Sequence, residues 1–170
     1  MGTIYRSLMF VFIVLAVFSG QYALACPSAR DCNIEKFEGA ERKPVNALAD
    51  FHFRLPDHGE EGAVANVYLS DSRPARIEVI IYGKTTQTKI YYETANGASG
   101  YLVTYREIYF PHPAGEGDTI HVASQTANFV ICEGFSHNYP DSSKLLLQIE
   151  EAEKLLFEIR SRALSILRNQ

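Results

Sequence analysis

Between residues 63 and 136 one pattern recurs six times: a run of β-branched, aromatic and alternating residues closed off by turn formers. The runs are AVANVYLS, ARIEVIIYG, TQTKIYYETA, GYLVTYREIYF, DTIHVASQT and NFVICEGFS. The gaps between them are SDSRP, KT, NGAS, PHPAGEG and a tight corner near Ala127. A parallel crossover needs a dozen residues or more, which none of these gaps supplies, so each run can only turn back on the one before it. The pattern predicts an antiparallel β-meander of five to six strands over 63–136.

Alternation within the runs sorts side chains by face. Ile77, Val79 and Ile81 point one way and Glu78, Ile80 and Tyr82 the other; Tyr101, Val103, Tyr105 and Tyr109 oppose Leu102, Ile108 and Phe110. Joined across strands, this gives the expectation of one aliphatic face and one face rich in tyrosine, carrying Tyr82, Tyr91, Tyr101, Tyr105 and Tyr109. Such rings stabilise a half-buried sheet as cross-strand pairs, or they grip a ligand at low entropy cost. These five tyrosines are the candidate ligand- or partner-binding residues.

After Pro140 the period changes. Leu145, Ile149, Ala152, Leu156, Ile159, Ala163 and Ile166 are spaced alternately by four and three, which predicts one long helix over 141–168 with Asp141 or Ser142 as its cap. Glu150, Glu151 and Glu153 near its start and Arg160, Arg162 and Arg168 near its end complement the helix dipole. Leu146, Leu147, Leu155, Phe157, Leu164 and Leu167 widen the stripe beyond a coiled-coil seam, so the helix is expected to lie across the aliphatic sheet face and close the core. At about 40 Å it is longer than a domain of this size is wide, which leaves its last turns for a homodimer contact.

The front of the chain fixes the compartment. Arg6, the uncharged run SLMFVFIVLAVF and the Ala23-Leu24-Ala25 site read as a signal peptide over 1–25, followed by a polar stretch over 26–50 and a single α+β domain over 51–170. The apolar run falls short of the roughly 20 residues of a spanning helix, so no transmembrane segment is expected in the mature chain. The expected location is periplasmic or secreted, with Cys26 as an alternative lipid anchor. The chain has 16 Lys plus Arg and 20 Asp plus Glu; loss of Arg6 leaves 15 − 20 = −5, a balance against nucleic acid as a partner. Three cysteines in an oxidising compartment leave one over. The expected pair is Cys26–Cys32 across CPSARDC with Cys132 reduced; a Cys32–Cys132 pair, with Cys26 free or lipidated, is the alternative.

Chemical motifs are sparse. The five histidines fit no HExxH, zinc-ribbon or EF-hand spacing, and there is no GxSxG elbow, Ser-x-x-Lys or phosphate-cradling glycine pattern. The densest polar group is HFRLPDHGEEG, where His52, Asp57 and His58, with Glu60 and Glu61, would be the ligands of a metal-dependent hydrolase. The same letters also make a charged loop. No cofactor is expected, and the reading is an exported binding or interaction module whose partner is an envelope protein or glycan.

The run EGAVANVYLSDSRPARIEVIIYGKTTQTKIYYET, followed by GYLVTYREIYF and a proline, resembles a set of uncharacterised bacterial exported proteins, periplasmic or lipoprotein. They are built on such a meander and a C-terminal helix. The resemblance covers about 100 residues and rests on strand signatures, so it implies export and fold and no activity.

Overall fold

The computed structural model describes residues 37, 39–95, 100–111, 123–132 and 143–169. Six strands form one antiparallel sheet in sequence order: β1 (Phe51–Leu55), β2 (Ala63–Ser70), β3 (Arg73–Tyr82), β4 (Thr86–Glu93), β5 (Gly100–Tyr109) and β6 (Ala123–Cys132). One helix, α1 (Ser143–Arg168), follows. The chain is an α+β meander with a long C-terminal helix.

Two strands depart from the sequence reading. FHFRL, read as part of a charged loop, is β1, with Phe51, Phe53 and Leu55 facing inward and paired to Val67, Ala65 and Ala63. The corner expected near Ala127 does not exist: ASQTANFVIC runs as one ten-residue strand, in register with β5 from Gly100↔Cys132 to Tyr109↔Ala123. A small residue at a half-exposed strand position mimics a turn signal, and pairing along the whole of β5 overrides it. The signal segment, Cys26, Cys32, the DTIH of the fifth run, the end of the sixth and the cap residues Asp141 and Ser142 lie outside the described residues.

Local chemistry sets the register. Asp71 and Ser72 have φ of 53° and 59°, the two left-handed residues of a primed two-residue hairpin between β2 and β3. The loop after β1 is pinned to the end of β3, with Glu61 N donating to Tyr82 O at 3.0 Å and Tyr82 N to Gly62 O at 2.9 Å. Gly59 sits in that loop at φ 74°, and a Cβ there would lie 2.5 Å from Ile81 Cγ2. Only glycine fits this corner.

The helix crosses one face of the sheet. Val67, Ile77, Val79, Ile90 and Val103 from the strands meet Ile149, Leu155 and Ile159, all fully buried. Ala152 and Ala163, with no exposed surface, let the helix come close to the strands. Burial of a side chain such as Ile159 is worth about 1.5–3 kcal/mol. A smaller cluster of Phe37, Ala95, Leu102, Val130 and Cys132 sits on the face opposite α1, at the β5–β6 end, where an isolated bridge joins Arg42 to Ala95.

Candidate functional site

The tyrosines divide between the faces. In register, Ile77 pairs with Tyr92 and Ile90 with Tyr105, so the aliphatic and tyrosine positions share the face under α1. Tyr101 and Tyr105 are buried there, and Tyr109 has the same strand parity. Tyr91 and Tyr82 are on the opposite face, Tyr91 half-buried and Tyr82 36% exposed. The expected five-tyrosine face is thus corrected: alternation was right strand by strand, but register joins Tyr101, Tyr105 and Tyr109 to the aliphatic side.

The covered tyrosines have structural partners. Tyr92 donates to Ala152 O at 2.9 Å, Tyr101 to Pro74 O at 2.9 Å, Tyr109 to Glu107 Oε2 at 2.9 Å, and Tyr105 to the Glu151 carboxylate. Burial, with the Glu151 carboxylate next to it, pushes the Tyr105 phenol well above its ordinary value; burial does the same to Tyr92. The Tyr92 and Tyr105 hydroxyls fasten helix to sheet, while those of Tyr101 and Tyr109 bond within the sheet.

The metal candidates are not brought together. His52 projects from the outer side of β1, its Nδ1 donating to Asn66 Oδ1 at 2.8 Å. His58 turns to the helix and its Nε2 donates to Glu158 Oε2 at 2.9 Å. That bond, against the desolvation of the site, holds the Glu158 carboxyl below its usual range. Among the described residues no group of three His, Cys, Asp or Glu side chains could hold a metal ion. The spacing that looked like a ligand set is an alternating strand, which sends His52 away from the loop that holds His58.

Cys132 is disulfide-bonded. Its partner lies outside the described residues, and the bond corrects the expected Cys26–Cys32 pair: with three cysteines, a bond that uses Cys132 leaves no such pair. Close by, a groove of ≈ 290 Å³ opens between α1 and the ends of β5 and β6, lined mainly by Ile131, Leu156 and Phe157. Arg160 lies over the Tyr101 ring there, 5.6 Å from its centroid.

The face opposite α1 is the candidate site. At its β5–β6 end the helical residue Phe37 packs against Leu102 and Val130, and over the rest of the described face side chains form rows that cross all six strands. One row is His52, Asn66, Glu78, Tyr91, Thr104 and Asn128, each paired with the next by register. The adjacent row is Arg54, Val64, Ile80, Lys89, Arg106 and Thr126. At about 4.8 Å between strands each row is roughly 24 Å long. Polar bonds order the first row: His52 to Asn66, and Thr104 Oγ1 to Asn128 Oδ1 at 3.0 Å. Glu78 accepts from Tyr68 at 3.0 Å and from Arg76, whose guanidinium lies over the Tyr68 ring at 5.4 Å. Sequence reasoning missed these rows because they exist only once register is known.

No protein-family model, no curated protein and no solved structure matches the chain. The geometry therefore carries the functional argument by itself. No helix of the described residues is long and apolar enough to cross a membrane.

Proposed function

We propose that this chain is an exported binding module that holds an envelope protein or glycan on the open face of its sheet. The observation that supports this reading is the ordered row His52 to Asn128. A solvated face needs no such coupling, whereas a recognition surface gains from side chains already held in one arrangement. Tyr91, half-buried in the middle of the row, supplies a rigid ring among polar neighbours. The signal segment and the resemblance to exported meander proteins favour the periplasm or cell exterior, released or held by lipid on Cys26. No catalytic group is assigned.

The test is capture of glycans and proteins from an envelope extract by three immobilised forms: the mature chain, Tyr91→Ala/Thr104→Ala on the open face, and Phe157→Ala on the helix. Loss of a bound species by the open-face variant alone supports the reading. Retention of every species by all three forms overturns it.

A further inference from the structure

Charge on the open face is not balanced. The strand carboxylates Glu78 and Glu93 on this face each have a cation: Arg76 on Glu78, and Arg42 Nε at 3.9 Å from Glu93. Arg54, Lys89 and Arg106, all in one row, have no carboxylate partner among the described residues, although the chain as a whole carries a formal −4. Lys89 and Arg106 stand directly opposite each other on β4 and β5. Like charges so placed lie about 5 Å apart and destabilise the sheet. The neighbouring row adds hydrogen-bond donors. Asn66 and Asn128 each accept through Oδ1 from within the row, so what each amide has left to offer a ligand is its NH2 donors.

We infer that the open face binds an anionic polysaccharide, with carboxylates of successive sugars meeting Lys89, Arg106 and Arg54 and with hydroxyls meeting the amides of Asn66 and Asn128. This rests on the proposed role of that face and goes further by naming the ligand chemistry. The surface presents cations and amide donors, so it fits an acceptor-rich chain. A lipid surface would ask for more apolar area than Val64 and Ile80 give. A peptide strand is held by backbone pairing at a sheet edge, whereas this is the broad face of the sheet. The acidity of the rest of the chain does not prevent contact, because screening at physiological salt confines exposed charges to about 8 Å.

The probe is a galacturonic acid oligomer of about ten sugars, with dextran as the neutral glycan and poly-L-glutamate as the acidic peptide. Each is titrated calorimetrically into the mature chain at low and at physiological salt. Lys89→Gln/Arg106→Gln is expected to weaken the uronate about tenfold, as loss of two exposed charge contacts does. Lys154→Gln, on the exposed side of the helix, is expected to leave its affinity unchanged. Melting temperatures of the variants equal to the parent show that the fold is intact. Dextran bound as tightly as the uronate, with no effect of the double variant, overturns the anionic assignment and leaves the open-face reading standing. Poly-L-glutamate bound as tightly and lost in the same variant overturns the choice of a glycan. No uronate binding at low salt overturns the inference, while the extract experiment decides the wider reading separately.

Discussion

The two faces of the sheet treat polar groups in opposite ways. Under α1 the buried hydroxyls of Tyr92, Tyr101 and Tyr105 each end on an acceptor in the helix or in β3, and Lys144 finds Glu107 at 3.0 Å. On the open face the pairs Arg76–Glu78 and Arg42–Glu93 are closed, but among the described residues the Arg54, Lys89 and Arg106 row has no carboxylate partner. Identical strands supply both faces, so the difference lies in side chains one residue apart. What is satisfied on one side holds the fold, and what is left over on the other is the basis of the proposed binding face.

The largest effect should come from breaking the covered face at its centre. Ile159→Asp places an unpaired carboxylate at a fully buried position and should cost about 4 kcal/mol, abolishing the cooperative melt seen by circular dichroism. A variant that still melts cooperatively within a few degrees of the parent would show that the helix does not close the core.

Next in size is the hydroxyl fastening. Glu151→Ala leaves the buried Tyr105 hydroxyl without its acceptor and should cost about 1–2 kcal/mol in urea denaturation. By sequence alone Glu151 belongs to the solvated, dipole-complementing half of the helix, and its bond to a strand 46 residues away was not legible.

Smaller again is the clasp between His58 and Glu158. Because the Glu158 carboxyl titrates below its usual range in the fold, its contribution is present at neutral pH and is lost as pH falls through that lowered value. Glu158→Gln should cost less than about 1 kcal/mol at pH 7, and the gap to the parent should close on acidification below pH ~4. A gap that persists at pH 2 would mean that the side chain acts through packing.

Least of all is the open face. Arg106→Gln removes one of two opposed cations and should leave stability unchanged or raise it by a few tenths of a kcal/mol, read as a higher urea midpoint. A clear loss would mean that the cation row holds the fold, and the contrast between the faces would fail.

How much of this was legible follows from the range of each interaction. The runs that became β2 to β5 and the seven-residue stripe of α1 were readable because each is a local period, and of that stripe Ile149, Ala152, Leu156, Ile159 and Ala163 are buried. FHFRL was missed although it alternates, because five letters with a histidine and an arginine weigh little beside the turn formers that follow. The face shared by Tyr92 and Ile77 depends on register, which hairpin turns fix through positions such as Asp71 and Ser72. The pairing of Cys132 depends on contacts remote in sequence.

The strict order of the sheet, each strand beside its sequence neighbour, has a consequence for how the chain matures. From β1 to β5 each hairpin closes over seven residues or fewer, so these strands can zip one by one at low entropic cost, while the 13-residue connection from β5 to β6 makes the last strand the slowest to join. The helix that covers it comes after β6 in the chain. Until those 26 residues arrive, a sheet bearing Val67, Ile77, Val79 and Ile90 is wet on its greasy side and open to association with its own kind. A chain that folds in sequence order therefore meets its most aggregation-prone moment just before the helix arrives, and holdase chaperones should bind the meander segment and let go when the helix docks.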